Sequence, residues 1–316
     1  MRDVSVAALV DRARAGDPRA VGRLVTLVEN ESPAMREVTS ALLPYVGQAY
    51  VIGVTGSPGV GKSTTTSALV TAFRKRGVRV GVLAVDPTSP FTGGALLGDR
   101  VRMQEHATDA DVYIRSMATR GHLGGLAQAT PQAVRVLDGA GFDIVMIETV
   151  GVGQSEVEVA GQADTTLVLL APGRGDGVQA AKAGILEVGD IFVVNKSDRE
   201  GADQVVRDLR DTVRSTQRTP GEWRQPIVST VASKGDGLEE LVEAIDRHRQ
   251  WSEGSGERER RRTRRARAEV EAIVSATVRR RFADAHGDAR LDELAAGVLR
   301  GDLDPYSAAE HVIDAV

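Results

Sequence analysis

The 316-residue chain has no cysteine, which excludes disulfides and thiolate metal sites and fits a reducing compartment. Aromatic residues make up only 3% of it, so the core must rest on Val, Leu, Ile and Ala. It has no large charge of one sign: the formal net charge of -4 gives no global attraction to nucleic acid or to a membrane surface. Long apolar runs are also missing. Stretches such as Thr166 to Pro172 are far too short to span a bilayer. Met1 to Ala20 mixes Asp and Arg with Val and Ala and has no apolar signal region, so a cytoplasmic location is expected.

What remains is an ordinary globular composition, 41% hydrophobic and 27% charged. Residues 1–47 read as a helical extension, with Asp17-Pro18 starting a new helix. Apolar strand-like runs follow at Tyr50–Val54, Val78–Val85, Asp143–Ile147, Thr166–Leu170, Ile191–Val194 and Pro226–Ser229, with a weaker one at Val112–Arg115. Helix-compatible stretches separate most of them. That alternation predicts an α/β fold: a doubly wound, mostly parallel sheet flanked by helices over 48–251. After Trp251 the character changes. Ser252 to Gly256 reads as a polar linker, followed by an Arg block (Arg258, Arg260, Arg261, Arg262, Arg264, Arg265 and Arg267), a helix over Val270 to Phe282, and further helices at Leu291–Leu299 and from Pro305, giving a helical extension over 252–316. The Arg block has no interleaved aromatics, and Glu257, Glu259, Glu269 and Glu271 can pair within it. A solvated helix face is the better reading than a nucleic-acid site.

Gly56-Ser57-Pro58-Gly59-Val60-Gly61-Lys62-Ser63 fits the phosphate-loop pattern G-x-x-x-x-G-K-[ST] at every fixed position. A strand precedes it, and Thr64 to Arg76 reads as a helix. The glycines let successive N–H groups turn inward on an anion, and the helix N-terminus adds partial positive charge. Lys62 can bridge the β- and γ-phosphates, and the Ser63 hydroxyl can ligate Mg²⁺. The pattern predicts a P-loop nucleotide hydrolase.

Asn195-Lys196-Ser197-Asp198 supplies the base. The Asp198 carboxylate can accept from guanine N1–H and N2–H₂ together, whereas adenine lacks that amine and carries an acceptor at N1. Asn195 should tie the base loop to the phosphate loop, and the Lys196 stem should cover the base. The backbone of Val231-Ala232-Ser233, after the next strand, can donate to the guanine O6. Glu148 opens Glu148-Thr149-Val150-Gly151, a D-x-x-G-like element with Glu for Asp, in which the Gly151 N–H can sense the γ-phosphate. Asp86 ends a strand, and Asp99 sits in a Gly-Asp-Arg loop, where it can also cap a helix. Ser63 with one or two of Asp86, Asp99 and Glu148 suffices for Mg²⁺. Where Ras-like proteins carry the Gln that orients water, this chain has Val152, so slow intrinsic hydrolysis with partner stimulation is expected. His106 and His122 lack metal-ligand spacing and read as polar loop or helix residues.

Together Gly56–Thr64, Asp86–Gly94, Gly98–Met103, Glu148–Glu156 and Asn195–Asp198 resemble the methylmalonyl-CoA mutase-associated GTPases, the MeaB/MMAA (ArgK-type) group in the metallocentre-assembly branch of P-loop GTPases. The similarity covers nearly the whole chain. It implies a homodimer, joined through the terminal helices, that binds GTP/GDP and Mg²⁺. It also implies a chaperone of the adenosylcobalamin-dependent mutase that gates cofactor loading and protects the enzyme. By the same resemblance Asp86, Asp99 and Glu148 surround Mg²⁺ and form switch regions. Ala171 to Lys182 forms a further switch, with Lys182 coupling nucleotide to partner. The base loop reads Val231-Ala232-Ser233, where relatives often have Ser-Ala. Rival readings are an ATP-dependent arginine/ornithine transport kinase, a nucleic-acid or ribosome factor, and another metal-insertion GTPase. The Asn-Lys-Ser-Asp sequence opposes the first, and the lack of Cys and clustered His opposes the last.

Overall fold

The structure is a computed structural model and describes residues 5–30, 32–86, 103–106, 108–118, 129–149, 155–173, 185–215, 219 and 221–313. Its centre is a seven-stranded sheet: β1 (Tyr50–Thr55), β2 (Val80–Asp86), β3 (Val112–Ala118), β4 (Ile144–Glu148), β5 (Thr165–Leu170), β6 (Ile191–Asn195) and β7 (Ile227–Thr230), in the order β3-β2-β4-β1-β5-β6-β7. Every pair is parallel. The reason is visible in the side-chain alternation. Along β4, Val145 and Ile147 face one core while Ile144 and Met146 face another, and β2 splits in the same way at Leu83 and Val85 against Val80 and Val82. A strand apolar on both faces must be covered on both, and helical crossovers do that.

One face is covered by α1 (Val6–Arg14), α2 (Pro18–Glu29), α3 (Met35–Leu42) and α5 (Thr130–Gly139), which share a core with Leu83, Val145 and Ile147. The N-terminal helices are therefore part of the sheet's own core. Asp17 caps α2, accepting from Arg19 and Ala20 N–H, with Pro18 at the first helical position. The other face carries α4 (Lys62–Lys75) and α9 (Leu238–Gly254) over Ile52, Val54, Met146 and Leu167. Helix α8 (Ala202–Ser215) covers Phe192 and Val194 near the β7 edge. Short α6 (Ser155–Gln162) and α7 (Ile185–Val188) complete this part. Because all strands are parallel, the chain segments after β1, β2, β4 and β6 all emerge at one edge, on either side of β1, where the strand order reverses.

The chain divides into two compact units, Met1–Arg261 and Arg262–Val316. The second contains most of α10 (Glu257–Arg300) and α11 (Pro305–Ile313). Two sequence expectations change here. Ser252 to Gly254 are the last turn of α9 and not a linker: Ser252 is fully buried and its hydroxyl donates to the Arg249 carbonyl. Only Ser255 and Gly256 make the turn, Gly256 at φ +72°. The expected separate helices from Val270 and Leu291 are one continuous helix, α10. No proline intervenes, and a lone Gly287 costs only about 1 kcal/mol relative to Ala. The weak strand at Val112–Arg115 is a full seven-residue strand.

At the edge opposite the phosphate loop lies a buried charge network. Asp190 accepts both guanidinium nitrogens of Arg261, at 2.7 and 2.8 Å, and the Thr166 N–H at 2.8 Å. His248 Nε2 lies 3.3 Å from it, and the His248 ring packs edge-on against Trp223. Burial alone would raise the Asp190 pKa, but the bonds from Arg261 and His248 outweigh it and hold the carboxyl at about 2. This depressed value contributes about 2 kcal/mol of stability, present in full above the unfolded value near 3.8 and lost as pH falls through 2. Arg261→Ala strands the buried carboxylate and is expected to cost about 3 kcal/mol at neutral pH, read from urea unfolding midpoints. A loss below about 1 kcal/mol, the worth of an exposed pair, would contradict this.

Candidate functional site

The phosphate loop leaves β1 at Thr55 and enters α4 at Lys62. Three of its residues, Gly56, Gly59 and Gly61, have positive φ of 138°, 78° and 99°. At two of them the space also demands glycine. A Cβ on Gly56 would lie 2.3 Å from the Leu169 carbonyl oxygen, and one on Gly61 would lie 2.3 Å from Asn195 Nδ2. Gly61 caps α4 with no side-chain bond, which leaves the first-turn N–H groups to an anion. Gly61→Ala is expected to weaken GDP binding at least tenfold, since it needs a strained backbone and displaces Asn195; calorimetric titration with GDP measures it, and an unchanged dissociation constant would refute it.

Lys62 is buried, and its ammonium folds back over the loop, donating to the Gly56 carbonyl at 2.6 Å and the Ser57 carbonyl at 3.1 Å. Next to it, the Ser63 hydroxyl donates to Glu148 Oε1. Glu148 ends β4 and is 3% exposed; its Cα is in register with Val54 on β1 and Ala84 on β2. Two of the four residues named for the metal thus touch each other. A hydroxyl and a buried carboxylate at a helix N-terminus are hard oxygen donors of the kind Mg²⁺ takes, so the donor set fits that cation. Asp86 ends β2 at the same sheet edge. Asp99, Gly151 and Lys182 lie outside the described residues, as do Val152 and His122. Among the described residues no group of three or more His, Cys, Asp or Glu could hold a metal.

The base side is organised by Asn195, the last residue of β6. Its Nδ2 donates to the Val60 carbonyl at 2.9 Å, while its Oδ1 accepts from the Ala232 N–H at 3.1 Å and the Thr230 hydroxyl at 3.2 Å. It therefore ties phosphate loop, β6 loop and β7 loop together. Lys196 adopts φ +57°, and its ammonium donates to the Gly59 carbonyl at 2.7 Å. Asp198 is solvent-facing and accepts from Lys234 Nζ at 2.9 Å, which holds its carboxyl below the usual range. Of the trio offered for O6, the Val231 N–H bonds the Asp236 carbonyl and the Ala232 N–H bonds Asn195. Ser233 is left as the one with no internal backbone bond from its N–H among the described residues. A cleft of about 1050 Å³ runs from Ser63 and Thr64 between α4 and α9 to Ala232 and Ser233.

Two features lay beyond the sequence reading. Arg261, placed on a solvated face, is the half-buried partner of the buried Asp190. Lys234 follows directly on the base loop but was given no role; its position one residue past Ser233 is the signal that could have found it. His106 is a buried structural residue, its Nε2 3.0 Å from Ser67 Oγ.

A family model described as methylmalonyl Co-A mutase-associated GTPase MeaB matches residues 21–287. A Pyrococcus abyssi relative is 47% identical over 308 residues, covering 96% of this chain and 95% of its own. GTPase ArgK of Escherichia coli is 36% identical over 252 residues, 78% of this chain and 76% of that one. The mitochondrial methylmalonic aciduria type A homolog of Mus musculus is 33% identical over 319 residues, 95% and 77% respectively. A crystal structure titled LAO/AO transport system kinase superposes with a TM-score of 0.74 at 25% identity, over 99% of this chain and 98% of that one. With the phosphate loop and the Asn195 strap in place and the match spanning most of its length, this chain belongs to the MeaB family of methylmalonyl-CoA mutase-associated GTPases.

Proposed function

We propose that the chain is a cytoplasmic, GTP-hydrolysing chaperone that binds adenosylcobalamin-dependent methylmalonyl-CoA mutase, gating cofactor loading and protecting or reactivating the enzyme. The observation that carries the nucleotide part is the Asn195 strap, which joins the phosphate loop to the guanine-facing loop. The family description, and the name of the mouse relative, support the mutase as partner.

In this reading the N–H groups of Gly56 to Thr64 cradle the phosphates and the Lys62 ammonium leaves its loop carbonyls for the β- and γ-phosphates. Ser63 and Glu148, joined by Asp86 and Asp99, would hold Mg²⁺, which when bound would neutralise charge on the phosphate oxygens. Asp198 accepts from guanine N1–H and N2–H₂, the Lys196 stem covers the base, and Ser233 in the Val231–Ser233 loop donates to O6. The Gly151 N–H senses the γ-phosphate, and Lys182 couples nucleotide to partner. Residues 48–251 form the GTP-binding part, and 252–316 join two copies. Val270, Ile273, Val274 and Val278, at i, i+3, i+4 and i+8, leave an exposed apolar stripe on α10 suited to that contact. Arg258, Arg260 and Arg267 pair with Glu253, Glu257 and Glu271, which favours a charge-balanced helix surface over a nucleic-acid face. Among the described residues no helix is long and apolar enough to cross a membrane.

The test is capture of purified mutase on the immobilised chain, loaded with GDP or with a non-hydrolysable GTP analogue. Capture that differs between the two nucleotides is expected; none with either overturns the mutase reading, and equal capture with both overturns its gating by nucleotide. The likeness to a structure titled a transport system kinase favours a second reading, an ATP-dependent kinase for arginine and ornithine transport. Tighter binding of ATP than GTP would select it.

A further inference from the structure

The loops that flank the base site are joined twice. The inner joint is Asn195, buried, whose Oδ1 accepts from Thr230 and Ala232 on the β7 side. The outer joint is Lys234. Its backbone is fixed by the turn in which its N–H donates to the Val231 carbonyl at 2.8 Å, and that turn is closed by the bridge between Val231 and Asp236. From there the side chain crosses to the β6 loop and donates to Asp198 Oδ2 at 2.9 Å. The two loops are thus joined by a buried inner set of bonds and an exposed ionic outer one.

We propose that Lys234 is a positioning residue for guanine, holding one oxygen of Asp198 so that the carboxylate presents both acceptors in the plane of the base. The inference rests on the assignment of Asp198 to guanine. A carboxylate has two oxygens and about four lone-pair directions. The Lys234 bond uses one direction on Oδ2, leaving Oδ1 and the second direction on Oδ2 for two parallel donors. The torsion that sets the carboxylate plane of an aspartate is broad, so an unheld, solvent-facing Asp198 samples orientations in which one oxygen faces N1–H and the other misses N2–H₂. Loss of Lys234 therefore removes the benefit of the exocyclic amine first. A plain surface ion pair, by contrast, would alter neither base selectivity nor its response to salt.

The distinguishing ligand is inosine diphosphate, which keeps N1–H and lacks the exocyclic amine. Dissociation constants for GDP, IDP and ADP are measured by calorimetry on the full chain, wild type, Lys234→Ala and Lys234→Arg. The wild type is expected to favour GDP over IDP. Lys234→Ala is expected to lower that ratio about fivefold, the reach of an exposed charge pair, through weaker GDP binding. Lys234→Arg keeps the ratio within about twofold, because it preserves a charged donor. Raising salt from about 0.05 to about 1 M should lower the wild-type ratio and leave the Lys234→Ala ratio flat, a measurement that needs no folded variant for its first half. An unchanged ratio in Lys234→Ala, or a salt-independent ratio in the wild type, overturns the role of Lys234 while leaving the guanine assignment standing. Equal binding of GDP and ADP by the wild type overturns both.

Discussion

Lys62→Ala is expected to lower single-turnover GTP hydrolysis by about 10²–10³-fold, the cost of removing one preorganised charge from a phosphoryl-transfer site. The ammonium is already in the loop mouth, bonded to the Gly56 and Ser57 carbonyls. To reach the phosphates it exchanges those two carbonyls for phosphate oxygens, and its charge then lies where negative charge develops in the transition state. Lys62→Arg should not rescue the rate. Only 7% of the residue is exposed, and the planar guanidinium cannot take the place of a compact ammonium between two carbonyls. GDP binding should fall less than the rate does, since the γ-phosphate is where the charge matters. A rate within about tenfold of wild type would show that Lys62 lies outside the reaction path.

The second large effect falls on the base. Asp198→Asn replaces an acceptor with a side chain that presents an amide donor to guanine N1–H. GDP affinity should drop about 10³-fold or more, because polar groups are then left unpaired against the base. Xanthosine diphosphate, with an oxygen where guanine has its amine, should gain. Stability should hardly change: Asp198 and Lys234 are both well exposed, and such pairs contribute little to folding. A competition titration reads the exchange of specificity. Equal loss for both nucleotides would mean that Asp198 serves the loop and not the base.

Much of this was legible in the sequence, for identifiable reasons. Strands buried on both faces read as continuous apolar runs, so β1, β4, β5 and β6 were placed within a residue. β3 was cut short at Arg115 because a charge ends an apolar run; in the fold that charge is satisfied by Glu29 of α2 at 2.8 Å. The polar stretch after Trp251 read as a linker because small residues favour turns, yet packing keeps Ser252 buried in α9. The phosphate loop and Asn-Lys-Ser-Asp were found because their chemistry is local in sequence. Ser63 and Glu148, 85 residues apart, were assigned to one metal because each sits in a recognisable motif, whereas the Lys234 bond to Asp198, 36 residues apart, has no motif to mark it. Such contacts follow from strand order, which no spacing rule records. Arg261 was missed for the same reason: its partner, Asp190, lies 71 residues away.

The proposed function makes this chain a slow guanine-nucleotide switch whose turnover answers to the mutase. Single-turnover hydrolysis of GTP, with and without purified methylmalonyl-CoA mutase, tests it most directly. Slow turnover by the chain alone and clear acceleration by the mutase are expected. Turnover near about 10 s⁻¹ by the isolated chain, the order reached by Ras only with its activating partner, would contradict it, as would a rate that the mutase leaves unchanged.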